Sequence, residues 1–411
     1  MARIEPFRAW RPKPELAAQV ASPPYDVLSS AEARVMAAGN PNTFLHVNKP
    51  EIDLPEDTDP YDDAVYAKGA ENLKRLIDEG ILIREERPAF YLYRQIMGEH
   101  QQIGLVVGAS VEEYENDLIK KHEFTRPKKE DDRTRHVDVL NANTGPVFLT
   151  YRAVAEIDEM VARLTSVDPV YDFTAPDGIQ HTLWVVDDPV DVRDVAAAFK
   201  KVPELYVADG HHRSAAGTRI CIQRRESNPD HTGDEPYNFF LSVIFPDDQM
   251  LIMDYNRVVR DLNGLSEADF LAAVAEHFQV EKGEMVKPSS AKSYAMYLGS
   301  QWYNLTAREG SYPDDDPVRR LDVAILQDNL LAPLLGIGDP RADERIDFVG
   351  GIRGLEELVK LVDSGAFKVA FGLHPTSIHD LFAVADAGQV MPPKSTWFEP
   401  KLRSGLIVRP L

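Results

Sequence analysis

Residues 205–217 read LYVADGHHRSAAG. An apolar run, an Asp-Gly pair, two histidines, an arginine and a small-residue run follow one another, which predicts a strand, a tight turn and a helix. The first turn of a helix presents unpaired backbone N–H groups and the positive end of the helix dipole, so it suits an anion. His211, His212 and Arg213 add side-chain donors there, and an arginine can grip a phosphate through two parallel bonds. Asp209 cannot bind an anion directly. Its possible tasks are to orient a histidine, accept a proton or hold a divalent metal. The competing expectation is an ordinary surface helix start, with Asp209 as the cap and both histidines exposed.

Three other segments carry groups of chemical interest. In SPPYDV, residues 22–27, two prolines stiffen the chain, so that Ser22 and Tyr25 are candidate substrate contacts and Asp26 a candidate general base. The segment KHEFTRPKKEDDR holds His122, Glu123, Arg126, Lys128, Lys129 and Arg133. Its basic groups suit phosphate and Glu123 suits a base or a metal ligand, although a charged run of this kind is commonly a solvated face. MPPKST, residues 391–396, offers Lys394 on a proline-fixed loop. It lacks the upstream glycines of a P-loop, and His374 and His379 stand five apart, off a shared helical face. The dinucleotide G-x-G-x-x-G, the kinase H-R-D and D-F-G, H-E-x-x-H and G-x-S-x-G patterns do not occur.

The elements that must position these groups alternate along the chain. Ser29 with Glu32 predicts a capping box opening a short helix that ends near Gly39. NTFLHVNKP predicts a strand, residues 64–80 a helix stopped by Gly80, and residues 89–114 a hairpin. A helix is expected from Lys129 to Asn143, followed by a strand at VFLTY. YNFFLSVIFP and MLIMDYNRVV read as a further strand pair, and GLIVR as a final strand. The mixture makes the class α/β or α+β. With 411 residues, two or three domains are expected. The boundaries are drawn at 1–165 (the SPPYDV and HEFTRPKK loops), 166–264 (the DGHHR turn) and 265–411 (the MPPKST loop). A net charge of -22 argues against a nucleic-acid surface. The lone Cys221 excludes an intrachain disulfide and a multi-cysteine zinc site. No signal-like segment or apolar run of about 20 residues appears, so a soluble cytoplasmic protein, off the membrane, is expected.

The DGHHR turn between a strand and a small-residue helix resembles the signature of the ParB/sulfiredoxin-like superfamily, particularly its free-serine kinase branch. SPPYDVLS, HEFTRPKKEDDR, YVADGHHR, YNRVV, VGG and VADAGQVMPPKSTWFEPKL, in that order, resemble the motif series of a widespread bacterial family long known only as a domain of unknown function. Some of its members act as L-serine kinases, in some cases with pyrophosphate as donor. The resemblance spans residues 22 to about 408. It implies a ParB/sulfiredoxin-like catalytic core with added sheet-and-helix regions, and a kinase that makes O-phospho-L-serine. The expected donor is pyrophosphate, with ADP or ATP as the alternative and Mg²⁺ as the cofactor. It implies that Asp209 lies at the reaction centre, where it holds Mg²⁺ or orients the hydroxyl. His211, His212 and Arg213 surround the donor, joined by Lys128, Arg133 and Lys394, while Ser22 and Tyr25 line the serine site. An earlier carboxylate, Asp26 or Glu123, is the base. Asn256 before Arg257 departs from the more usual His-Arg pairing. The rivals are a kinase for another small alcohol and a non-catalytic sensor of a nucleotide or anion. Oligomeric state is not legible.

Overall fold

The structure, a computed structural model, describes residues 2–411. The chain is mixed α/β and divides into two compact units, 1–250 with 400–411, and 251–399. This differs from the three expected regions. The boundary expected at residue 165 falls inside one sheet, because strands on both sides of it pair edge to edge. The boundary expected at residue 264 falls inside the second unit.

The first unit is built on a nine-stranded sheet. Its path runs Ile119–Lys120, Leu205–Asp209, Val147–Tyr151, Phe239–Pro246, His100–Ser110, Phe90–Met97, Gln180–Val186, Tyr171–Thr174, with Ile4–Glu5 also paired to His100–Ser110. Most neighbours are antiparallel. The exceptions are Leu205 against Ile119 and Ser242–Pro246 against Val147–Tyr151, which run parallel. The expected hairpin is present, turned at Gly98 with φ 60°. Its strands alternate Phe90, Leu92, Leu105, Val107 and Ala109 into the main core, which Trp184, Phe199, Leu205, Val207 and Phe240 complete. Two helices, Pro127–Leu140 and His211–Ser227, pack against each other. Arg219 to Glu130 and Asp131, and Arg224 to Asp138 and Asn141, tie them together.

Local chemistry explains several boundaries. The Ser29–Glu32 capping box forms as expected and opens the helix Ser30–Ala37. The expected helix from Lys129 starts two residues earlier, at Pro127, whose missing N–H costs nothing in a first turn. It stops at Leu140 because Asn141 turns left-handed, with φ 50°. NTFLHVNKP is not a strand: Leu45–Asn48 is helical and Pro50–Asp53 continues in a tight turn. Phe44, Val47 and Asn48 are buried at the i, i+3, i+4 spacing of one helical face, and His46 holds Asp53. Of GLIVR, only Arg409 lies in a strand, Arg409–Pro410, which pairs with Ala142–Asn143.

The second unit has a six-stranded antiparallel sheet: Phe278–Gly283, Gln301–Ala307, Ser293–Leu298, Val369–Leu373, Tyr255–Val259, Ile346–Gly350. The helix Gly354–Asp363 covers it through Leu355 and Leu358. The strand pair expected from YNFFLSVIFP and MLIMDYNRVV does not form. Phe239–Pro246 stays in the first unit's sheet, Leu251–Met253 pairs with Trp397–Glu399, and Tyr255–Val259 joins the second sheet. The turn Asp247–Gln249 after Pro246 separates them.

Candidate active site

The strand Leu205–Asp209 ends with a register irregularity between Val207 and Asp209. Gly210 then adopts φ 94°, ψ 28° and caps the helix His211–Ser227. A side chain there would be strained in this left-handed conformation, and its Cβ would lie 3.1 Å from Arg213 Nε. Asp209 is therefore not the helix cap. One of its oxygens accepts the Gly210 N–H at 2.7 Å, and the other meets Lys401 Nζ at 3.1 Å. Burial alone would push the carboxyl up. Lys401, then Arg213, more than offset this and hold it well below the usual carboxylate range. Neither histidine of the turn stands free on the surface. His211 is buried, and its Nε2 has no hydrogen-bond partner among the described residues. Burial, then His122, lowers its pKa. His212 Nε2 accepts the Arg126 backbone N–H at 3.0 Å, which places the proton of the neutral ring on Nδ1.

That bond pins the segment 121–126 over the turn. His122 is buried and meets the His211 ring edge-on, with centroids 4.5 Å apart. Burial pushes its pKa down to about 4, against a smaller upward pull from Asp209. Ligand atoms of His122, Glu123 and His211 lie within 4.8 Å of one another, with the Glu123 side chain at the surface. Thr125 Oγ1 donates to Glu130 at 2.6 Å, closing the segment onto the Pro127 helix.

A cleft opens beside the turn. It encompasses roughly 470 Å³, part of it open to solvent, and Tyr25, Asn48, Arg133, His136, Asn143, Thr144, Gly145, Arg213 and Ser404 are among its lining residues. Arg133 stacks its guanidinium 3.9 Å from the Tyr25 ring centroid and pairs with Asp132 at 2.8 Å. Asp132 also accepts the Tyr66 hydroxyl at 2.9 Å. Burial, then Asp26, pushes the Tyr25 phenol up, so Tyr25 remains a proton donor at neutral pH. Arg213 donates Nη1 to the Pro146 carbonyl, while its buried Nε is unpartnered among the described residues. Two cationic forks thus line one small cleft.

No curated protein matches the chain. Residues 4–324 match the family of proteins of unknown function DUF1015. The chain belongs to that family. Among solved structures, the chain is similar to a free serine kinase in complex with AMP at 12% identity and TM-score 0.34, covering 69% of this chain and 84% of that one. A conserved hypothetical protein from Pyrococcus furiosus is 15% identical with TM-score 0.34, covering 71% and 92%. SbnI from Staphylococcus aureus, truncated at its C-terminus, is 12% identical with TM-score 0.37, covering 74% and 87%. No helix among the described residues is long and apolar enough to cross a membrane.

The first unit of this DUF1015 member gathers most of the sequence-derived candidates. Asp209, His211, His212, Arg213 and Glu123 meet at the turn, and Tyr25 and Arg133 line the cleft. Asp26 is exposed, close enough to Tyr25 and His212 to act on both charges, and makes no hydrogen bond or ion pair among the described residues. Ser22 is buried, bonded through its backbone to Ser404 at 2.9 and 3.1 Å, and its Oγ has no partner among the described residues. Lys128 is not brought in: it is exposed, with Nζ 4.3 Å from the Tyr61 ring centroid. Lys394 belongs to the second unit, where its carbonyl accepts Arg257 Nη2 at 2.8 Å. Asn256, at the departure from the His-Arg pattern, donates to Asp254 at 2.6 Å and accepts the Leu373 N–H at 3.0 Å. Lys401 had no role in the sequence reading. It stands in the motif WFEPKL, but no spacing rule links residue 401 to Asp209, 192 positions away. Ser404 and Gly145 were missed in the same way.

Asp209 does not make a resident Mg²⁺ site by itself. One of its oxygens already faces Lys401 and the other a backbone N–H, and among the described residues it belongs to no cluster of ligand side chains spaced to share an ion.

Proposed function

We propose that this protein transfers a phosphoryl group from a small phosphate donor to the hydroxyl of free L-serine, with pyrophosphate as the preferred donor and a nucleotide as the alternative. One observation carries the reading. Two arginines, one with an unpartnered buried Nε, line a small cleft that adjoins a helix start rich in donors.

The division of labour follows from charge and position. The helix start, His212, Arg213 and Lys401 favour the donor phosphates, whose transfer needs positioning and charge neutralisation more than covalent help. Arg133 and the Tyr25 hydroxyl suit the carboxylate of an amino-acid acceptor, so Arg133 fits the acceptor better than the phosphate role expected for it. Asp26, exposed and unpaired next to Tyr25, is the base that takes the hydroxyl proton. The serine oxygen then bonds to phosphorus as the bridging P–O bond breaks, and inorganic phosphate leaves when pyrophosphate is the donor. Asp209, kept ionised by Lys401, keeps that lysine directed to the turn. No step is routed through a metal held by Asp209.

The test is to incubate the full chain with L-serine and each of pyrophosphate, ADP and ATP in Mg²⁺ buffer, and to follow products by ³¹P NMR. Phosphoserine with at least one donor supports the reading. Saturable pyrophosphate binding with no product from any donor overturns it in favour of an anion sensor.

A further inference from the structure

The two buried histidines pose a problem that phosphate does not solve. Nε2 of His211 is buried without a hydrogen-bond partner among the described residues, and the equally buried ring nitrogens of His122 make no hydrogen bond of normal geometry, the Val207 backbone being the group that acts on that ring as an acceptor. Burial lowers the pKa of both rings, so each is neutral at pH 7 and carries one N–H donor and one lone pair. An incoming anion satisfies the donors only. The lone pairs require a donor or a cation, and a buried polar atom left without one costs about 1–3 kcal/mol. A carboxylate stands at the same point: ligand atoms of His122, Glu123 and His211 lie within 4.8 Å of one another.

We infer that His122, His211 and Glu123 form a binding site for one divalent transition-metal ion, of the class of Zn²⁺, Co²⁺, Ni²⁺ or Mn²⁺. Two imidazoles and one carboxylate are borderline donors that suit these ions, whereas Mg²⁺ and Ca²⁺ prefer all-oxygen sets. Ligand bonds of about 2.0–2.2 Å call for donor atoms roughly 3–4 Å apart. Side-chain rotations that shift the ligand atoms by about an ångström close the present spacing, and Glu123 stands at the surface. Asp209 acts electrostatically on both rings, as carboxylates behind metal-bound histidines do. Three protein ligands would leave a position open for a further donor. The ion brings positive charge beside the helix start, where phosphate oxygens are expected. The inference stands on the histidines and Glu123 and does not require the phosphotransfer reading.

The experiment is a Co²⁺ titration of the full chain, stripped of metal by chelation and dialysis and followed by visible absorption. The expected result is a set of d–d bands from nitrogen-ligated cobalt that saturates at one equivalent, with Zn²⁺ displacing the cobalt. Glu123→Gln, at an exposed position, should weaken binding about tenfold or more. His122→Gln should abolish the bands, with circular dichroism reporting whether the variant is folded. The inference is overturned if wild-type protein leaves the spectrum of aqueous Co²⁺ unchanged, or if Glu123→Gln binds as tightly as wild type. Phosphoserine formation without cobalt bands would sink this inference alone, and bands without phosphoserine would sink the functional reading alone.

Discussion

Asp26 and Arg133 approach the cleft with different duties, and their substitution should separate binding from chemistry. Asp26 is exposed and unpaired, so Asp26→Asn should leave folding intact. Loss of a general base costs about 10²–10⁴ in rate. The expected outcome is a fall in kcat of about a hundredfold or more with little change in KM for serine, read from initial rates. Arg133 is a binding group held by Asp132 and Tyr25. Its replacement by Met should raise KM for the acceptor about 10- to 100-fold, the worth of one charge-assisted hydrogen bond or slightly more, with a smaller effect on kcat. A fall in kcat alone would contradict the assignment of Arg133 to the acceptor. The pairing of Asp209 with Lys401 shows where residue-level reading stops. The Asp was legible as chemically special from its turn, but its partner lies beyond any local pattern.

Two glycines decide whether the strand, turn and helix at 205–227 can be built. Gly210 needs φ 94°, and a non-glycine residue in the left-handed region costs about 1–2 kcal/mol. Gly217 sits where a Cβ would approach Phe240 Cβ to 2.9 Å, so it lets the helix lie close against the sheet. Gly210→Ala should lower unfolding free energy by about 1–2 kcal/mol in urea titration, and Gly217→Val by about 1–3 kcal/mol through overpacking. Gly210→Ala should also lose activity out of proportion to its stability, because its Cβ crowds Arg213. This element was readable in advance. An apolar run, an Asp-Gly pair and a small-residue run each say one thing about backbone geometry, and they agree. Leu45–Asn48 was not readable, because a short apolar run has no period long enough to separate a helix from a strand. The separation of Phe239–Pro246 from Tyr255–Val259 into different sheets was hidden for another reason. Adjacent strands usually pair, and only the completed cores of two units override that tendency.

Acid should weaken the first unit before its carboxylates are involved. His122, His136, His181 and His211 are buried and all have lowered pKa values, about 4, 4 and 3 for the first three. Burial is the leading cause in each. The unfolded chain binds their protons near pH 6.5 and the folded chain does not, so their contribution is full above about pH 6.5 and is lost as pH falls toward 4. Each should add a slope of about 1.4 kcal/mol per pH unit across that window, measurable by urea titrations at stepped pH. A flat profile between pH 6.5 and 4.5 would contradict neutral buried imidazoles. The division into units also has a consequence during synthesis. Residues 251–399 are translated between the body of the first unit and the segment that supplies Lys401, Arg403, Ser404 and Arg409. At about 5–20 residues per second, a ribosome spends roughly seven to thirty seconds on that stretch. Throughout the interval the nascent DGHHR turn has an aspartate but no lysine opposite it. The charge centre therefore stays incomplete until the second unit has been made, which delays any activity of the chain until it is almost fully assembled.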